Sequence, residues 1–270
     1  MRKRELTLEQ LRQRELALLE RFKAFCQEEQ ISWCLCNGTL LGAVKYEGFI
    51  PWDDDIDVLV PRADYDRLVK RWRDEKQAKL LCPERERRYR YPFAKLCDMT
   101  TVKEEENLDN GLELGVCIDV FPLDVWGPCA EKQADQMGRY IRWLNFWKCR
   151  RAISRNPVKR CVKNLLLTLR DPVCRMLVGK MMKLASENVG KSAFDKLGCV
   201  VWCIYGRREI LPAEVFSRFV PVKFEGEIYP APVGYDTCLR SLYGSYRQDP
   251  PPERQVSHHR FQAWEWEAEL

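Results

Sequence analysis

No apolar stretch in this chain approaches the roughly 18 residues that a membrane-spanning helix needs, so a transmembrane helix is excluded. No repeat or low-complexity tract stands out, which argues against a solenoid or a disordered tail. Met1-Arg2-Lys3-Arg4 looks like the opening of a signal peptide, yet Glu5 follows and no apolar h-region appears. Export is therefore not expected, and the cytosol is. Cys34-Leu35-Cys36 and Cys199 to Cys203 lack a second pair at matching spacing, which argues against zinc. The 13 cysteines are odd in number in a long chain without an export signal, and read as free thiols. Those at 34, 36, 97 and 117 lie in strand-like runs as small buried hydrophobes. Histidine is scarce: His258 and His259 are the only two. Either could touch a phosphate or simply pack.

What is present is ordinary in bulk. At 270 residues, 46% hydrophobic and 31% charged, the chain suits one large or two small globular domains. Its net charge of +5 hides an asymmetry, because residues 139 to 183 carry 13 Lys or Arg against the single acid Asp171, leaving −7 elsewhere. Such a segment faces an anionic partner or forms a solvated amphipathic surface. No zinc finger, RNA-recognition motif or helix-turn-helix accompanies it, so nucleic acid is not expected.

The most informative stretch is Trp52-Asp53-Asp54-Asp55-Ile56-Asp57-Val58-Leu59-Val60. In an extended chain, Asp53, Asp55 and Asp57 share one face, with neighbours about 6 to 7 Å apart. At an effective dielectric near 20, each neighbouring pair costs about 2.5 kcal/mol. A hard divalent ion converts that repulsion into coordination, and Mg2+ takes one or two carboxylates while leaving positions for water and phosphate oxygens. A calcium loop is the rival, since Asp53, Asp55 and Asp57 copy its first three ligands. It fails at Val58, where glycine is required, and at Asp64, where glutamate is required.

Around this stretch, Thr7 and Gln10 form a capping box for a helix to about Glu29. Ile31 to Cys36 reads as a strand turned by Asn37-Gly38-Thr39 into a short helix over 40–45. Pro61 opens another helix, and 89–98 and 114–121 are further strands. After Pro128 the periodicity becomes helical, punctuated at Pro157 and Pro172. From Phe216 the chain reads as a loop-rich closing segment with a terminal helix near Ala263. The expected domains are a catalytic core over 1–127, a basic helical subdomain over 128–215, and a C-terminal segment over 216–270 that packs back on the core.

A strand ending in Asn37-Gly38-Thr39, the pair Asp55-Ile56-Asp57 and the later Ile118-Asp119-Val120 resemble the DNA polymerase beta-like nucleotidyltransferase superfamily. Within it, Gly38-Thr39-Leu40-Leu41-Gly42 followed by Gly48 to Asp57 is similar to the defining block of the LicD family of phosphotransferases. Tyr91-Pro92-Phe93-Ala94-Lys95, Ile118 to Asp124, Phe224-Glu225-Gly226, Tyr229-Pro230-Ala231-Pro232 and Leu242-Tyr243-Gly244 extend the resemblance over nearly the whole chain. It departs at Ser245, where an acid is expected, and at Asp249, where an apolar residue is expected.

The resemblance implies an α+β fold: a mixed nucleotidyltransferase-type sheet flanked by helices, with an inserted basic helical subdomain. It implies metal-dependent transfer of a phospho-alcohol such as phosphocholine from a CDP-linked donor to a hydroxyl of a cell-surface glycan or its lipid-linked precursor. Asp55 and Asp57 would hold Mg2+ or Mn2+, with Asp119 a shared ligand or the base that orients the acceptor hydroxyl. Gly38 and Thr39 would cradle a donor phosphate, with Lys95 an added cation and His258 a further contact. Asp53, Asp54 and Asp124 are assigned roles in supporting those site residues or the structure. The basic helices, with Trp143 and Trp147, would dock on anionic lipid at the inner membrane face. Nucleotidyl transfer from an NTP, and an inactive membrane-surface adaptor, are the alternatives.

Overall fold

The computed structural model describes residues 2–153, 156–188, 190, 195–257 and 260–267. In chain order the elements are β1 (Arg2–Glu5), α1 (Leu8–Glu28), β2 (Cys34–Leu35), α2 (Asn37–Tyr46), β3 (Asp57–Pro61), α3 (Arg62–Arg71), β4 (Lys79–Leu81), β5 (Ala94–Asp98), β6 (Thr101–Glu105) and β7 (Val116–Val125). Then come α4 (Ala130–Lys148), α5 (Pro157–Leu166), α6 (Arg170–Ser186), β8 (Lys196–Gly198), β9 (Leu211–Pro212), β10 (Phe219–Phe224), β11 (Glu227–Pro232), α7 (Tyr235–Tyr243) and β12 (Phe261–Glu267). The architecture is α+β.

The principal sheet is seven-stranded, in the order β2-β3-β7-β5-β4, with β8 and β9 added beside the end of β7. It is mixed: β3 and β7 run parallel, and β2 and β5 pair antiparallel with them. Period-2 alternation divides its side chains between two apolar clusters. Val58, Val60, Leu96, Ile118 and Val120 face α1 and α3, whereas Leu59, Cys97, Cys117 and Phe121 face the cluster that contains α4 and α6. Asp57, Asp119 and Lys95 occupy the second face by the same alternation.

The α1 N-terminus carries the predicted capping box, with both reciprocal bonds between Thr7 and Gln10 present. The buried Asp124 carboxylate on β7 accepts from Arg62 at the start of α3, Nε to Oδ1 at 2.7 Å and Nη2 to Oδ2 at 2.8 Å. This pair ties the β3–α3 corner to β7. All the cysteines are free thiols.

The end of the chain differs from expectation. Residues 261–267 form a strand, not a helix, in the three-stranded sheet β1-β12-β6. Edge pairing decides it: β1 and β6 each leave an edge that this segment fills from both sides, and Ala263 is buried against Leu11 and Val116. The segment from Phe216 is also more regular than expected, containing the β10–β11 hairpin and α7.

Among the basic helices, α5 buries none of its residues. Val158, Val162, Leu165 and Leu166, with Leu169 beyond its end, recur at helical spacing and are all exposed. Trp143 is exposed as well, but Trp147 is buried in the cluster beneath α4 and cannot meet a surface partner. No helix among the described residues is long and apolar enough to cross a membrane.

Candidate active site

The segment between α2 and β3 has little regular structure, and its position is imposed by its neighbours. A Cβ at Gly42 would stand 2.4 Å from the Gly48 carbonyl oxygen, so only glycine lets the loop cross α2 this closely. Glu225, at the β10–β11 turn, accepts the Phe49 N–H at 2.9 Å. Arg12 reaches from α1 and donates to the carbonyls of Ile50 at 2.9 Å, Pro51 at 3.1 Å and Asp53 at 2.6 Å.

Held in this way, the four aspartates alternate, although only Asp57 belongs to a regular strand. Asp53, Asp55 and Asp57 line one cleft of about 720 Å³. Asp54 turns away: it is 1% exposed, accepts from Ser257 Oγ at 2.6 Å and lies 3.8 Å from the Lys103 ammonium. The sheet then supplies two more charges. Asp57 is the register partner of Asp119 on β7, and Asp119 that of Lys95 on β5, so the three form a row across one face. Lys95 Nζ is 2.5 Å from Asp119 Oδ1 and stands 4.8 Å and 5.5 Å from the ring centres of Tyr91 and Phe93. A smaller pocket of about 50 Å³ lies beyond, lined by Asp55, Lys95, Lys103 and Asp119 among others. Asp55 borders both spaces.

The electrostatics are unbalanced toward the acids. Burial, then the charges of Asp55 and Asp119, push Asp57 well above the usual carboxylate range against a hydrogen bond from Asn37. Burial, then Asp55 and Asp54, push Asp53 up to about 7. Although burial opposes it, Asp119 holds Lys95 protonated well above the usual lysine range. Lys148 is the opposite case, brought down to about 7 by burial, with its ammonium nitrogen 3.1 Å from the centre of the Tyr91 ring.

The donor set suits a hard divalent ion. Buried carboxylates that repel one another are stabilised by a cation, and Mg2+ is satisfied by one or two of them plus waters and phosphates. Among the described residues, no three His, Cys, Asp or Glu side chains form a ready-made metal-binding group. Asp119 is engaged by Lys95, whereas Asp53, Asp55 and Asp57 line the larger cleft.

Of the other expected contacts, Gly38 lines the cleft at the α2 N-terminus, where an added Cβ would stand 2.6 Å from Asp53 Oδ2. Thr39 is buried, and its hydroxyl accepts the Asp57 N–H at 2.8 Å, fixing the strand that carries the aspartate. His258 lies outside the described residues. Asp124 is paired with Arg62 away from the cleft, whereas Asp53 lines it. Arg12, Lys103 and Lys148 give no sequence signal, because each reaches the site from an element distant in the chain. Tyr205 and Tyr243 also line the cleft; only Tyr243 falls in a motif.

The fold and site define an α+β protein whose curled mixed sheet carries a carboxylate row into an acidic cleft. Residues 30–137 match the family described as LicD/FKTN/FKRP, nucleotidyltransferase domain, a span that contains Gly38, Asp55, Asp57, Lys95 and Asp119. The chain is 30% identical over 261 residues to the lipopolysaccharide cholinephosphotransferase LicD of Haemophilus influenzae, covering 90% of this chain and 92% of that protein. The chain belongs to the LicD family.

Proposed function

We propose that this protein transfers a phospho-alcohol from a CDP-linked donor to a hydroxyl of a cell-surface glycan or its lipid-linked precursor. The observation that carries the proposal is the row Asp57, Asp119, Lys95 across three adjacent strands, with Asp55 beside it at the junction of two pockets. The family and the relative's activity support the same chemistry. The core over residues 1–127 is proposed to have the nucleotidyltransferase-type fold, with residues 128–215 its basic insertion.

Asp55 and Asp57 would hold Mg2+, which when bound supplies positive charge against the donor diphosphate and the departing CMP. Asp119, anchored by Lys95, orients the acceptor hydroxyl and accepts its proton. Gly38 allows a donor phosphate to approach the α2 backbone where N–H groups are unpaired. Lys95 and Lys103 balance the negative charge gathered there. Offered CDP-choline, CDP-ethanolamine, CDP-glycerol and CDP-ribitol with Mg2+ and a glycan acceptor, the protein is expected to release CMP from at least one. Excess EDTA is expected to stop that release. Release of pyrophosphate from an NTP instead, or turnover that persists in EDTA, would reject the assignment.

The acceptor reading also gives α5 a role, as a peripheral contact with anionic membrane from the cytoplasmic side. Its exposed apolar stripe is bordered by Lys159, Arg160 and Lys163, the composition of a helix that lies in a lipid interface. Arg160→Glu with Lys163→Glu is expected to weaken binding to phosphatidylserine vesicles by more than about tenfold, at about 1 kcal/mol per basic residue. Cosedimentation that is unchanged by the substitutions would leave α5 no lipid role.

A further inference from the structure

Cys97 on β5 and Cys117 on β7 stand opposite each other, and among the described residues no other two cysteines are register partners. The kind of pairing matters, because opposed residues of an antiparallel ladder alternate between hydrogen-bonded pairs and closer, non-hydrogen-bonded ones. The Asp119 N–H is spent on the Ile56 carbonyl at 2.8 Å, so Asp119 turns its backbone groups toward β3 and away from β5. Cys117, two residues back on the same strand, does likewise. Both are therefore non-hydrogen-bonded partners of β5, with Cα atoms about 4.5 Å from those opposite. Side chains at such pairs meet: Lys95 reaches Asp119 at 2.5 Å, and the Cys97 and Cys117 thiols share a hydrogen bond.

The phospho-alcohol reading gives neither thiol a task, yet one of them opens on the site. Cys117 is 6% exposed and lines the small pocket of about 50 Å³ with Asp55, Lys95, Lys103 and Asp119, whereas Cys97 is fully buried behind it. That volume admits a molecule little larger than water, and hydrogen peroxide is one. The Cys97 thiol also donates to the Lys95 carbonyl at 3.8 Å, so movement of this sulfur is felt by the residue that anchors Asp119. The exposed thiols lack this arrangement, since Cys129 and Cys161 lie on no strand.

We propose that Cys97 and Cys117 form a reversible oxidation site beside the carboxylate row, at which hydrogen peroxide closes a disulfide across β5 and β7. In the first step the Cys117 sulfur attacks one peroxide oxygen, the O–O bond breaks, and hydroxide leaves with the thiol proton as water, giving the sulfenic acid. The Cys97 sulfur then attacks that of Cys117, the S–O bond breaks, and hydroxide leaves with the second thiol proton as water. Two thiols are oxidised, one peroxide is reduced, and two waters depart. Closure brings the Cβ atoms to about 3.8 Å, from the roughly 4.5 to 5.5 Å usual for opposed residues. The Lys95–Asp119 pair, two residues along both strands, is drawn out of position with them. The oxidation stands apart from the phospho-alcohol reading; its effect on turnover rests on that reading.

The test treats the full-length protein with hydrogen peroxide, removes the excess with catalase and maps the peptides by mass spectrometry without reduction. A linked Cys97–Cys117 peptide is expected, with CMP release at least about tenfold slower and restored by dithiothreitol. Treated and untreated Cys117→Ala should turn over alike. Cys97→Ala, which has no second thiol to close the bond, should carry Cys117 on to the sulfinic acid, and dithiothreitol should not restore it. A wild-type map with both cysteines still reduced while Cys129 and Cys161 are oxidised would overturn the proposal, whether or not the variants fold. So would a linked protein that turns over as fast as the reduced one. An untreated protein that releases CMP from no CDP-alcohol would reject the transfer reading instead, and the peptide map would still decide the thiol pair.

Discussion

Asp57→Asn is expected to lower turnover by at least about 10²- to 10³-fold, the scale on which removal of one preorganised electrostatic group acts. The same is expected of Asp55→Asn. The argument for Asp57 has a second half, because its environment is hostile to charge: burial and two neighbouring carboxylates raise its folded pKa far above the value in the unfolded chain. In the metal-free protein the folded state therefore binds more protons than the unfolded state between these two values, so stability falls as pH rises through that window. Asp53, raised to about 7, acts in the same direction from near pH 4 to near 7. Asn at position 57 removes its share of the penalty. The variant should be inactive yet melt at a higher temperature than the metal-free wild type at pH 7.5, and Mg2+ should raise the midpoint of the wild type more than that of the variant. Calorimetry with and without Mg2+, beside a CMP-release assay, measures both. Near-normal turnover, or a variant that melts lower with no cation present, would contradict the role given to this carboxylate.

Arg62→Leu is expected to destabilise the fold by about 3 to 5 kcal/mol, the usual consequence of stripping a buried charge of its partner. Asp124 is fully buried, and burial already lifts its pKa to about 6 even with the guanidinium bonded to both oxygens. Without Arg62 the carboxyl must protonate to stay inside, so the deficit should shrink as pH falls toward 5. The double variant Arg62→Leu/Asp124→Leu should recover much of the loss, because two apolar groups leave nothing unpaired. Urea unfolding at pH 7.5 and pH 5 distinguishes these cases. A single variant within about 0.5 kcal/mol of wild type would mean that the pair does not hold the β3–α3 corner.

Much of this molecule can be read from local pattern. The capping box at Thr7 and Gln10, the apolar run after Asp57 and the glycine spacing from 38 to 48 each act through neighbours in sequence, and each appears where the pattern puts it. The alternation of Asp53, Asp55 and Asp57 survives although the strand begins only at Asp57, because Arg12 and Glu225 hold the loop extended. Glu225 lies in the Phe224-Glu225-Gly226 motif, but Arg12 gives no such signal, since nothing in a lone arginine on a polar helix face says which carbonyls it will meet. The last strand departs from the expected helix for a related reason. Seven residues containing two tryptophans suit a helix or a strand equally, and the choice was made by the unpaired edges of β1 and β6, elements more than a hundred residues away in the chain. The burial of Trp147 beside an exposed Trp143 is likewise decided by what α4 packs on, not by its own spacing.

Arg12 gives the first helix a duty beyond packing. A shortened form beginning after α1 would keep every aspartate of the cleft, yet the three carbonyls that Arg12 gathers would be released and the acidic loop would lose its aim. Within the folded protein, fraying at that one helix would disarm the site while the sheet beneath it remained whole.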